Sequence, residues 1–182
     1  MTFSVLARDN ETGAIGGAAA TGSLCVGGWV LRGHLKAGIS ASQGAAPSTL
    51  WGEDILAAMQ SGLTAAEAVK TITSADRGRA HRQLAAVDLS GNAAAFTGEK
   101  NEDVKGSLMF PSGVASGNML GSEAVLSAMA EAAAKPVQGF EMRLLEALRA
   151  AHDAGSDFRG LLSAALLILH PDRPPLTLRI DY

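Results

Sequence analysis

The stretch "TFSVLARDNETGAIGGAAATG", residues 2–22, decides how this chain is read. Residues 2–9 mix β-branched and apolar side chains, residues 10–13 form a turn cluster, and residues 14–22 resume as a strand rich in glycine and alanine. That pattern predicts a β-hairpin. Its second strand, built on Gly16, Gly17, Ala18, Ala19 and Ala20, has little side-chain surface of its own to bury. A strand of that kind needs another backbone or sheet lying close against it.

The remaining segments repeat the pairing. "LCVGGWVL" and "KAGISAS" read as a second strand pair joined around Arg32, Gly33 and His34. From Ser48 the period becomes helical, with Leu50, Asp54, Ile55, Ala58 and Met59 in phase and Gly62 as a stop. Thr64 and Glu67 then form a capping box that opens a second helix. "QLAAVDLSGNAAAFTG" is a hairpin turning at Ser90, Gly91 and Asn92, followed by a charged loop, "EKNEDVKG". Two further helices, separated near Pro136, carry a buried stripe of Leu144, Leu145, Leu148 and Ala151. "LSAALLIL", "HPDRPP" and "LTLRIDY" close the chain as strand, turn and strand.

About eight strands are expected from this order, joined as antiparallel hairpins and interrupted by two helix pairs. A parallel, doubly wound sheet would need a helix between successive strands, so the class is α+β. Two stacked sheets with a helix pair on each outer face, a four-layer αββα sandwich, would use every element. No internal linker divides residues 1–182, which read as a single domain.

Composition narrows the function classes. The chain has 182 residues, 47% hydrophobic and 18% charged, with 21 glycines and few aromatics, so Ala, Val, Leu and Ile must fill the core. Lys and Arg number 15 against 18 Asp and Glu, a net charge of −3. That balance leaves no basic footprint for nucleic acid or an anionic membrane. Cys25 is the one cysteine and fits a small core residue in a reducing compartment. The apolar run "SAALLIL" is too short to span a bilayer, and the N-terminus lacks the pattern of a secretory signal. The cytoplasm is the expected location. His34, His81, His152 and His170 have no metal-ligand spacing, and no phosphate-cradling loop occurs, so neither a metal nor another cofactor is expected.

Several blocks, "TFSVLARDNETGAIGGA", "ASQGAAPS" before "GEDIL", "DRGRAHRQLAAVDLSGNAAAFTG", "GNML" and "SAALL" followed by "LTLRID", together resemble the family called domain of unknown function 1028. The resemblance covers nearly the whole chain. It implies the N-terminal-nucleophile (Ntn) hydrolase superfamily and the αββα sandwich of that superfamily. In such enzymes the first residue of the mature chain attacks the substrate while its own α-amine serves as the base. The resemblance therefore implies Thr2 as nucleophile after removal of Met1; the alternative is a first-strand threonine whose side chain merely faces a sheet surface. Lys36 stands where proteasome-like members carry a lysine near the nucleophile; otherwise it is a solvated strand-end lysine.

Asn118, in "ASGNMLGS", is the expected oxyanion donor, because a glycine-rich helix entry with an asparagine amide suits a developing negative charge. Ser116 and Gly117 beside it, with Ser42 and Gln43 of "ISASQGAAPS", are the expected substrate-binding groups. Asp76, Arg77, Arg82 and Gln83 read as a solvated helix end, and Asp9 as the cap of the first turn. Two functions remain open at this level. One is an Ntn-type hydrolase of an amide-type bond in a small molecule or peptide. The other is a non-catalytic Ntn-like domain for small-molecule binding or for homo-oligomeric assembly through its helical faces.

Overall fold

The computed structural model describes residues 2–135 and 139–182; the expected helix break at Pro136 lies outside them. In chain order the elements are β1 (Thr2–Arg8), β2 (Ile15–Thr21), α1 (Val26–Trp29), β3 (Leu31–His34), β4 (Gly38–Gly44), α2 (Thr49–Gln60) and α3 (Ala65–Ser74). They continue with β5 (Arg82–Asp88), β6 (Ala93–Thr97), β7 (Gly106–Phe110), β8 (Gly113–Asn118), α4 (Ala124–Ala134), α5 (Phe140–Asp153), β9 (Ser163–Leu169) and β10 (Leu176–Asp181). One sheet has the order β10-β9-β2-β1-β8-β7 and the other β3-β4-β5-β6. Both are antiparallel throughout, so the α+β class expected from the sequence is the one observed.

Alternation along β1 distributes the core. Phe3, Val5 and Ala7 face α4 and α5, burying against Met129, Phe140 and Leu144. Leu6, on the opposite face with Ile15 and Ala19 of β2, meets Ile39, Ala41, Ala85 and Val87 of the four-stranded sheet. The outer face of that second sheet, through Leu84 and Ala86, packs on Trp51, Ile55 and Val69 of α2 and α3. Helical burial thus follows Trp51, Ile55, Leu56 and Met59, whereas Leu50 points outward at 68% exposure.

The small residues of β2 are explained by what lies on either side of them. A Cβ on Gly17 would sit 2.6 Å from Leu6 Cδ2 and 3.1 Å from Leu31 Cδ2, and one on Gly16 would sit 2.8 Å from the Phe140 ring. Larger side chains would push both neighbouring layers away. The Thr64–Glu67 capping box forms as expected. Hydrogen bonds from the Thr64 backbone N–H and hydroxyl favour the charged carboxylate and hold the Glu67 pKa below its ordinary value.

Three local expectations are corrected. Residues 26–29 form a short helix rather than part of a strand, entered through Cys25 in the left-handed conformation (φ 62°). Cys25 itself is exposed, not a core residue. "SLMFPSGVASGNMLGS" supplies the hairpin β7–β8 instead of a helix entry, raising the expected eight strands to ten among the described residues.

Gly17→Val is expected to destabilise the protein by about 1–3 kcal/mol, the typical cost of overpacking. A lowered urea midpoint with an unchanged m-value would report this loss.

Candidate functional site

Thr2 begins β1, a strand held between β2 and β8, with Thr2 opposite Asn118 and Phe3 opposite both Ala20 and Gly117. Its side chain is 8% exposed and its Oγ1 donates to Thr21 Oγ1 at 3.2 Å. Thr2 lines a pocket of about 370 Å³ together with Thr21, Gln43, Trp29, Met119 and Arg159. That volume lies within the range of small-molecule sites. The wall is mixed: Leu24, Val26, Trp29, Val30 and Met119 supply apolar surface, while Glu102 and Arg159 supply opposite charges.

Behind Thr2, a polar network joins the two sheets. The Gln83 Nε2 group donates toward Gly106 O at 2.9 Å, Gly117 O at 3.0 Å and Thr97 Oγ1 at 2.8 Å. Two of these acceptors are backbone carbonyls, which fixes the orientation of the Gln83 amide. Its Oε1 must then be an acceptor, and it receives Gln43 Nε2 at 2.7 Å and Asn118 Nδ2 at 3.2 Å. Gln43 Nε2 also lies 3.3 Å from the Thr2 carbonyl oxygen. Inverting either neighbouring amide would set oxygen against oxygen. Gln43 Oε1 and Asn118 Oδ1 are consequently buried without a hydrogen-bond partner among the described residues.

The positive charge at the pocket comes from Arg159. Its guanidinium reaches the fully buried carboxylate of Asp157 through Nε at 3.3 Å and Nη2 at 3.2 Å. Asp157 also accepts the Gly22 N–H at 2.6 Å. One carboxylate thus ties the end of β2 to the loop that carries Arg159. No sequence spacing connects "SDFRG" with Thr2, so this pair was not legible from the residues alone.

Of the site residues expected from the sequence, Thr2, Ser42 and Gln43 line the pocket. Ser42 Oγ donates to the Ser48 carbonyl, which ties β4 to the start of α2. Asn118 is brought beside Thr2 but directs its NH₂ at Gln83, so it is not aimed at the pocket as an oxyanion donor. It ends a strand, and the next helix begins only at Ala124. Ser116 bonds Ser107 at 3.0 Å and Gly117 packs under Leu120, both away from the pocket lining.

Lys36 is not brought to the site. It is exposed in the β3–β4 turn, where its backbone N–H donates to His34 Nδ1. From Gly38 to Gln43 is five residues of strand, roughly 17 Å, so the turn and the pocket lie at opposite ends of β4. Gln83, expected at a solvated helix end, is fully buried. Asp76 and Arg82 do form an ion pair at 2.6 Å, and Asp9 caps its turn through Thr12. Among the described residues no group of three or more His, Cys, Asp or Glu side chains could hold a metal ion. No described helix is long and apolar enough to cross a membrane.

Gln83→Ala would leave the buried Asn118 Nδ2 without its acceptor and would leave Gln43 Nε2 only its longer contact with the Thr2 carbonyl. At about 1–3 kcal/mol for a buried group left unsatisfied, the expected loss is about 1–3 kcal/mol, measurable by chemical denaturation.

The comparisons with known proteins agree with this architecture. The crystal structure of protein SPO2555 from Silicibacter pomeroyi, itself assigned to the family DUF1028, superimposes with a TM-score of 0.96 at 67% sequence identity. The match covers 100% of this chain and 78% of that one. No curated protein matches the sequence. The family model described as "Family of unknown function (DUF1028)" matches residues 2–182, and the chain belongs to that family.

Proposed function

We propose that this chain is an Ntn-type hydrolase acting on an amide-type bond of a small molecule or peptide, with Thr2 as nucleophile. The observation that carries the proposal is the position of Thr2: it is the first residue after Met1, it opens a central strand, and it lines the pocket. The reading is supported by the packing of α4 and α5 on one sheet and of α2 and α3 on the other, as a four-layer αββα sandwich of the Ntn kind would require. Fold analogy alone would not carry an activity.

With Met1 removed, the α-amine of Thr2 lies beside its own hydroxyl; free α-amines ordinarily titrate near 7.7–8.0, a range suited to a base at neutral pH. The amine takes the Oγ proton as the Oγ–C bond forms at the substrate carbonyl. It returns that proton to the leaving nitrogen as the C–N bond breaks. Water, deprotonated by the same amine, then hydrolyses the ester and releases Thr2. Arg159, paired with the buried Asp157 and sharing the wall with Glu102, favours substrates with a strongly polar group there. Cytoplasmic location and self-association belong to the same reading.

A second reading, a binding domain without catalysis, has its own support. Lys36 is remote and the Asn118 amide is turned to Gln83, so two of the three groups expected to catalyse are not directed at a substrate.

Intact mass of the untagged protein from its native cells should show a chain beginning at Thr2; retained Met1 would refute the mechanism. A β-lactone probe should acylate the mature protein. Thr2→Ser should keep the labelling and Thr2→Ala should abolish it, and labelling undiminished in Thr2→Ala would favour the binding domain.

A further inference from the structure

Among the described residues the six-stranded sheet ends in β10. Natural edge strands discourage pairing with another chain by charged side chains, lysine above all, by proline or by a bulge. Residues 176–182, "LTLRIDY", carry charge only at Arg179 and Asp181 and contain no lysine or proline, and Leu178 and Ile180 are exposed by 50% and 69%. Both leucines of β10 and Ile180 lie opposite Ile168, Leu166 and Ala164, on the α5 side of the sheet. Thr177, Arg179 and Asp181 occupy the other face.

Hydrogen-bond parity restricts what this edge can accept. The Tyr182 N–H donates to Leu162 O, so residues 182, 180, 178 and 176 direct their backbone groups at β9. Residues 177, 179 and 181 therefore present theirs at the open edge. A second copy paired antiparallel about a twofold axis must form its hydrogen-bonded pairs from those three positions.

Charge then selects the register. Centring the axis on Arg179 sets two guanidinium groups face to face, and centring it on Asp181 does the same with two carboxylates. Centring it on Leu178 pairs Arg179 with Thr177 and leaves Asp181 without a cation. With the axis at Ile180, Arg179 pairs with the partner's Asp181 on one face. On the other face Leu178 meets the partner's Tyr182, and the two Ile180 side chains meet at the axis. Opposite charges and apolar cross-strand pairs both favour this arrangement.

We propose that β10 is a homodimer interface, in which two copies pair antiparallel about Ile180 to make one continuous twelve-stranded sheet. The contact is isologous, so a closed dimer results and both open edges at that end are consumed.

The register makes the test specific. Residues facing each other at the axis form a non-hydrogen-bonded pair, with Cα atoms about 4.5 Å apart, within disulfide reach. In a Cys25→Ser background, Ile180→Cys should give a covalent dimer under mild oxidation. Leu178→Cys should not, because its two copies would lie roughly 14 Å apart along the strands. Sedimentation equilibrium of the unaltered chain should show a dimer, and Ile180→Lys a monomer with unchanged circular dichroism.

Arg179→Asp or Asp181→Arg alone should weaken the dimer by roughly tenfold, and the two together should restore it. Asp181 also accepts the Cys25 N–H, so the cysteine readout stands apart from any local effect of the charge changes. A monomeric unaltered chain at tens of micromolar would overturn the proposal. So would a dimer that survives Ile180→Lys, or equal crosslinking of Leu178→Cys.

Discussion

The rest of the structure depends on how the Gln83 amide is satisfied. Apolar contacts between the two sheets are non-directional and would tolerate sliding at the end where the core gives way to polar residues. Gln83 sits on β5 of one sheet, yet its hydrogen-bond partners include carbonyls of β7 and β8 in the other. A buried amide must place its hydrogens on acceptors and its oxygen on donors, so the two sheets can meet there in one alignment. That alignment sets Gln43 and Asn118, and through them the start of β1. The position of Thr2 at a pocket is thus a consequence of a neutral polar contact, not of charge.

The legible part of the fold was the part with a period. Hairpins flanked by turn residues, the Thr64–Glu67 cap and the amphipathic helices depend on neighbours within a few residues, and those neighbours are visible in a sequence. The close approach at Gly16 and Gly17 was also readable, because residues that small have few other reasons to occupy a strand. The β7–β8 hairpin was hidden by its composition: "SLMF" is short, and "GVASGN" lacks the β-branched and aromatic residues that mark a strand. Its small residues fit because Gly117 lies under Leu120 and Gly113 lies against the Phe110 ring and, across the sheet, the Leu6 carbonyl of β1.

The site was legible only in fragments for a related reason. Ser42 and Gln43 could be named because one strand end brings them to a loop, and Thr2 because its place in the chain is unusual. Arg159 and Gln83 reach the same region through long-range contacts. Gln83 stood both at the end of the charged run "DRGRAHRQ" and at the start of the strand "QLAAVD", and neither place shows that its amide is buried between the sheets. Lys36 failed in the opposite way. Its distance along the chain matched an expectation, but β4 carries Gln43 away from the turn that holds the lysine.

The pocket and the β10 edge are two ends of one construction. Leu24 and Val26, which form apolar wall, flank Cys25, whose N–H is accepted by Asp181 of β10. The Val26 N–H is accepted by Ser163 Oγ of β9, and the same hydroxyl donates to the Ser23 carbonyl. Three of residues 23–26, through the Ser23 carbonyl and the Cys25 and Val26 N–H groups, are therefore hung on the last two strands rather than on the central ones. Pairing at the edge would restrain β10, and with it Asp181 and the wall it supports. A ligand that orders the wall must in turn favour the paired edge, because coupling between two sites is reciprocal. Self-association and pocket occupancy would then report on each other without a side chain crossing from one copy into the other.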